Sequence, residues 1–228
     1  MCAVIFDFDG IIVDTERIHY NAFQHVLTPK GLGYSWSDYV NDFIGFDDRD
    51  AFKEVYQKAG KEIAHKDLET LIEEKSNIFD KTIAHKHIQP YPGVFSLLDR
   101  LDKEDVLVGL CSGALKSDIG PILKNLGLQE LFKVIITAED VTKSKPDPSG
   151  YRLAVRELAE TVRAEFTANQ CLAIEDTPTG INAARSAGLK VLAITNSYPA
   201  ERLSAAHMIV DSLEEITSLH HLGLMKNI

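Results

Sequence analysis

Ala3-Val4-Ile5-Phe6-Asp7-Phe8-Asp9-Gly10 is the stretch that decides the fold. Four apolar residues in a row, rich in strand-forming side chains, read as a β-strand buried on both faces. The run breaks at two acids and a glycine, so the strand's carboxyl end carries paired carboxylates. A second apolar trio, Ile11-Ile12-Val13, leads into Asp14-Thr15, a helix start.

Outward from that strand the texture changes. Between Glu16 and His87 there is no strand-like run; helical patterns cover 18–27, 36–43, 49–59 and 66–83, with polar or glycine-bearing joints. The segment reads as an all-helical insertion. Gln89-Pro90-Tyr91-Pro92-Gly93 reads as its hinge, because two prolines discourage continued helix. Beyond Pro92, strands at 106–111, 134–137, 172–174, 191–194 and 208–210 alternate with helices at 93–101, 118–126, 151–160 and 180–187. Such alternation predicts an α/β fold, a parallel sheet with helices on both faces. Sheets of this kind bind ligands beyond the carboxyl ends of their strands.

The 228 residues suffice for one large domain or a core with a smaller companion. A chain of this size buries roughly 70% of its unfolded surface and needs no covalent staples. The net charge of −10 argues against nucleic acid as a partner. An anionic small molecule stays compatible, because a cation and a few placed donors override the global field locally. Cys2, Cys111 and Cys171 give neither a disulfide framework nor a zinc pattern, and the latter two border apolar strand-like runs. No apolar span is long enough for a membrane helix, and Asp7 and Asp9 interrupt the first apolar run, so no signal peptide is expected. The expectation is a cytoplasmic protein without a membrane partner, monomeric or dimeric. His85-Lys86-His87 reads as surface histidines in a linker, and Gly31-Leu32-Gly33 lacks the strand-turn-helix context of a nucleotide loop.

Four predicted strands end in reactive residues: Asp7 and Asp9, Ser112 with Gly113, Lys145 in the following loop, and Glu175 with Asp176. Each alone has a plain structural reading: a solvated turn, a helix cap, a loop lysine, or Asp176 capping the helix after Pro178. Two acidic tips on one sheet carry more weight. Clustered carboxylates repel unless a cation joins them, and oxygen-only ligands suit magnesium. The proline after Lys145 fixes the backbone there, which favours Lys145 over Lys143.

These four motifs, in this order, resemble the haloacid dehalogenase superfamily. Asp7-Phe8-Asp9-Gly10 with Asp14-Thr15 is similar to its first motif, Ser112 to the second, and Lys145-Pro146 to the third. Glu175-Asp176-Thr177-Pro178-Thr179-Gly180 is similar to the fourth. The helical insertion resembles the cap of the subgroup holding β-phosphoglucomutase and phosphoglycolate phosphatase. The resemblance implies a Rossmann-like core of residues 1–15 and 88–228 and a helical cap of residues 16–87. It implies that Asp7 is nucleophile and Mg2+ ligand. Asp9 is the proton donor, then the base, and binds Mg2+ through its backbone carbonyl; Asp176 is the further ligand, with Glu175 in support. Ser112, Gly113 and Lys145 would hold the transferring phosphoryl group, and Lys75 and His19 would reach the substrate from the cap.

Family dehalogenases and phosphonate hydrolases lack an aspartate at the place of Asp9, so the implied substrate is a small phosphate monoester. The alternative is a sugar phosphomutase. In those enzymes a cap arginine holds a second phosphate, and here the matching residue is Asp48, with Arg49 displaced by one. One position on a helix is a rotation of about 100°, so Arg49 is expected to face away. Receiver domains also accept phosphate on aspartate, but they carry no helical insertion after the first strand. A non-catalytic scaffold would be expected to lack one of Asp7, Asp9, Lys145 or Asp176.

Overall fold

The computed structural model describes residues 3–163, 165–219 and 222; Cys2 and most of the tail from His220 lie outside them. Strand β1 (Ala3–Phe6) is wholly buried, as its unbroken apolar run requires. Five more parallel strands complete one sheet: β2 (Leu107–Cys111), β3 (Val134–Ile136), β4 (Cys171–Glu175), β5 (Lys190–Ile194) and β6 (Met208–Val210). Their spatial order is β3-β2-β1-β4-β5-β6.

That order places a switch point at β1. The chain runs from β1 to β2 and β3 on one side, then returns to β4 on the other. Adjacent strand ends diverge there, and a crevice opens beyond their carboxyl ends. Phe6 is in register with Leu110 of β2 and Ile174 of β4, so Asp7 emerges beside Glu175. The Asp7 amide still donates to the Ile174 carbonyl at 3.0 Å, which ties the acid to the sheet.

Between β1 and the rest of the sheet the chain forms α1 (Glu16–Leu27), α2 (Trp36–Asp42), α3 (Asp48–Lys58) and α4 (His65–Ala84). Ser35 and Asp38 close a reciprocal capping box at the start of α2, and Asp47 caps α3 by accepting from the Asp50 amide. Phe23, Tyr34, Tyr39, Phe43 and Phe52 pack together between these helices. The two connecting stretches run side by side, with the Tyr91 amide donating to the Ile12 carbonyl at 2.9 Å.

Helices α5 (Val94–Lys103), α6 (Lys116–Leu126), α7 (Ser149–Val162) and α8 (Pro178–Ser186) cover the sheet. Pro178 starts α8, where its missing N–H is harmless, and Thr177 rather than Asp176 caps it, accepting from the Gly180 amide at 3.0 Å. Asp176 is thereby left for the crevice. Cys111 and Cys171 are buried in strands, and burial pushes the Cys111 thiol up to about 12. Among the described residues no helix is long and apolar enough to cross a membrane.

Candidate active site

The β1 tip turns sharply into the helical segment. Gly10 sits at φ +81°, and a Cβ there would strike the Asp176 carboxylate. Glycine is therefore required both for the turn and for the approach of the first acidic tip to the second. The Gly10 carbonyl accepts from the Asn196 side chain at 2.6 Å, just beyond β5.

Lys145 reaches across this crevice. Its ammonium donates to Asp7 Oδ1 at 2.7 Å and to Glu175 Oε1 at 2.6 Å. Lys143 is exposed. Glu175 is fully buried and saturated: Oε1 also accepts from the Tyr151 hydroxyl at 2.6 Å, and Oε2 lies 3.3 Å from the Thr177 hydroxyl. It serves as an anchor for Lys145 as much as a candidate metal ligand. Burial works against the charge on Lys145, yet Asp7 and Glu175 raise its affinity for the proton, so the ammonium stays charged.

Asp7, Glu175 and Asp176 bring carboxylate oxygens within 4.8 Å of one another. Burial first, then Glu175, lifts the Asp7 carboxyl to about 8 against the pull of Lys145. Asp176 is driven well above the usual carboxylate range by burial and by Asp7. The Ser197 hydroxyl donates to Asp176 Oδ2, whereas buried Oδ1 has no hydrogen-bond partner among the described residues. An oxygen-only donor set with one orphaned, buried carboxylate oxygen fits a hard divalent cation.

Asp9 points toward the helical segment. Its Oδ1 accepts from the Thr15 hydroxyl and lies 3.4 Å from His19 Nε2. Burial opposes ionisation, but His19 and Thr15 hold this carboxyl below its ordinary value. His19 stacks on Phe79 at 4.2 Å, and its Nδ1 is 2.8 Å from Lys75 Nζ. An ammonium can only donate, so Nδ1 is the acceptor and the N–H lies on Nε2, facing Asp9.

Asp7, Asp9, His19, Gly113 and Lys145 line one chamber of about 40 Å3 between the strand tips and the helices. Ser112 is one step back: its Oγ accepts from the Ala114 amide at 3.0 Å and opens on an adjoining space with Gly113 and Lys145. Lys75 also lies behind the chamber wall. It is fully buried, held by Asp48 at 2.8 Å and Asp118 at 3.5 Å, rather than solvated on the helix surface.

Arg49 faces away from the chamber. It pairs with Asp47 at 2.6 Å and donates to the carbonyls of Ala138 at 2.9 Å and Val141 at 3.0 Å. Beside it the Ser144 hydroxyl donates to Asp50. These bonds fasten the start of α3 to the loops after β3. Arg49→Ala removes charge-assisted bonds and leaves the buried Asp47 carboxylate unpaired, at a cost of about 2 kcal/mol. The melting temperature is expected to fall by about 4–8 °C, read by calorimetry.

Sequence reasoning missed Asn196, Ser197, Tyr151 and Asp118. The first two follow β5 directly, so the strand-tip logic that found Ser112 and Glu175 applies to them as well. Tyr151 and Asp118 give no such signal, because only the tertiary fold brings them to Glu175 and Lys75.

A parallel sheet with acidic and basic strand tips gathered at its switch point defines an α/β enzyme that handles phosphate. The chain belongs to the haloacid dehalogenase-like hydrolase family, whose model matches residues 4–194. It is 33% identical to protein YhcW of Bacillus subtilis (strain 168) over 197 residues, 85% of this chain and 83% of that one. It is 28% identical to validoxylamine A 7'-phosphate phosphatase of Streptomyces hygroscopicus subsp. limoneus, over 95% of this chain and 96% of that protein. The crystal structure of β-phosphoglucomutase from Clostridium difficile superposes with a TM-score of 0.84 at 25% identity, covering 98% of this chain and 96% of that one.

Proposed function

We propose that this chain is a magnesium-dependent phosphatase that hydrolyses a small phosphate monoester through an aspartyl phosphate on Asp7. The observation that carries the reading is the Asp7–Lys145–Glu175–Asp176 constellation at the β1/β4 switch point, with Asp9 turned toward the opposite wall.

A water attacks a phosphate ester poorly because both are electron-rich, and a covalent intermediate divides the reaction into two easier steps. An Asp7 carboxylate oxygen bonds to phosphorus while the bond from phosphorus to the ester oxygen breaks. Asp9, kept ionised in the free chain by His19 and Thr15, takes the proton of the substrate's phosphate monoanion and delivers it to that departing oxygen. In the second half Asp9 takes a proton from water, whose oxygen attacks the acyl phosphate and returns Asp7 as carboxylate. Lys145, the Ser112 hydroxyl and the backbone at Gly113 hold the phosphoryl oxygens. Asp7, Asp176 and the Asp9 carbonyl, with Glu175 in support, would hold Mg2+, which supplies charge compensation for the phosphoryl group. Residues 16–87 act as a cap over a core of 1–15 and 88–228, and their closure keeps bulk water from the acyl phosphate.

A phosphomutase reading also has a basis, in the likeness to β-phosphoglucomutase. Arg49, held by Asp47 and two carbonyls, is not free for a second phosphate, which favours hydrolysis. The deciding experiment measures phosphate release from a panel of small phosphate esters, with Mg2+ and with chelator. Release that needs Mg2+ is expected; a folded chain that releases none, yet isomerises a sugar phosphate primed by a bisphosphate, would establish the mutase instead.

A further inference from the structure

The chamber wall opposite the phosphoryl site carries a carboxylate oxygen with nothing to bind. Asp48 opens α3 and lines the chamber; Oδ1 takes the Lys75 ammonium at 2.8 Å, and buried Oδ2 has no hydrogen-bond partner among the described residues. Buried polar atoms are nearly always satisfied, so this one marks the position of a donor that arrives with a ligand.

The cations beside Asp48 are not free for an anion on the leaving alcohol. An ammonium has three N–H groups. Those of Lys75 face Asp48, His19 Nδ1 and Asp118. Arg49 is spent on Asp47 and two carbonyls, and Lys145, tied to Asp7 and Glu175, is assigned to the phosphoryl group rather than to the leaving alcohol. Glu16, on the same wall, accepts from the Tyr39 hydroxyl at 2.6 Å, so that hydroxyl is occupied too. Apart from the His19 Nε2–H, which is turned to Asp9 at 3.4 Å, the wall presents acceptors and no free cation among its described residues.

We propose that Asp48 is a specificity-determining residue whose Oδ2 accepts a hydrogen bond from a hydroxyl or ammonium group on the leaving alcohol. The preferred substrate is then the monophosphate of a small polyol or amino alcohol, and an ester with a carboxylate or second phosphate is disfavoured. This rests on the phosphatase reading above.

Asp48→Asn keeps the shape of the side chain and removes its charge, which also leaves Lys75 with one carboxylate partner fewer. The probes are glycerol 3-phosphate, phosphoethanolamine, 2-phosphoglycolate and fructose 1,6-bisphosphate. The native chain is expected to show the higher kcat/KM on the first two. Asp48→Asn is expected to shift the ratio of donor to anionic esters by roughly tenfold or more, mainly through KM, the scale of one hydrogen bond to a charged group. Native preference for 2-phosphoglycolate or the bisphosphate, or an equal loss on all four esters in the variant, overturns the proposal. Calorimetric binding of the same esters to chains carrying Asp7→Asn, with and without Asp48→Asn, reads the preference without turnover. If the binding preference holds while no ester is hydrolysed, the phosphatase reading fails and the role of Asp48 stands.

Discussion

Asp7→Asn is expected to abolish phosphate release, lowering kcat by about 10^4-fold or more, the scale on which loss of a nucleophile acts in other hydrolases. The fold should survive, because asparagine matches the shape of aspartate and the backbone bond from residue 7 to Ile174 is untouched. The amide oxygen can still accept from Lys145, so a melting temperature near that of the native chain is part of the expected result. Geometry decides which acid loses the reaction. Of the four carboxylates at the strand tips, only Asp7 and Asp9 line the chamber; Glu175 and Asp176 are fully buried behind it. Asp9 is engaged by Thr15 and His19, which would leave Asp7 to face the phosphoryl group in the proposed reaction. The stereochemistry at phosphorus, read with an isotopically chiral phosphorothioate ester, gives a second readout: two in-line displacements, first by Asp7 and then by water, should retain the configuration, whereas a single attack by water would invert it. Residual activity above about 1% in a folded Asp7→Asn chain would mean that another group attacks phosphorus, and the covalent reading would fall.

The architecture was legible because each sheet strand in a parallel α/β protein is a short apolar run that stops at a polar tip. Among the described residues, the sheet's six strands and the eight α-helices lie where periodicity and turn residues put them, with ends moved by up to two residues. The acids were legible for the same reason: carboxylates directly after a buried strand have one place to go, the crevice beyond it. What sequence could not supply was the pairing. The family resemblance gave Lys75 a place at the substrate but no partners, although its spacing from Leu68, Leu71 and Phe79 puts it on the buried face of α4. A charge on an apolar stripe needs partners, and here they come from α1, α3 and α6, as His19, Asp48 and Asp118. Likewise nothing local shows that Tyr151, on α7, closes the hydrogen bonding of Glu175. Arg49 shows the reverse: its displacement by one position was readable, but its anchorage on the Ala138 and Val141 carbonyls depends on loops about ninety residues away.

Lys145→Met should separate catalysis from stability at the same site. The ammonium joins two buried carboxylates, and its side chain is 9% exposed, against 11% for Asp7 and 0% for Glu175. Methionine keeps most of the volume, so the change is electrostatic more than steric. Removing one partner from a buried ion pair costs about 3–5 kcal/mol, because the remaining charge has lost both water and counter-ion. Glu175 suffers most, since Tyr151 and Thr177 supply hydrogen bonds but no compensating charge. The expected outcome is a urea midpoint, measured in chelator, shifted down by an amount equivalent to that range, with phosphate release measured in Mg2+ lost as well. Adding Glu175→Gln to Lys145→Met is then expected to restore more than about 1 kcal/mol, a coupling typical of groups in direct contact. The neutral amide no longer needs the ammonium, and its oxygen can still accept from Tyr151. Activity should not return, because Lys145 also faces the chamber, where it would offset the charge on the phosphoryl oxygens and on Asp7. If the double variant recovered hydrolysis along with stability, Lys145 would be an anchor for Glu175 alone, and its place in the proposed chemistry would have to be given up.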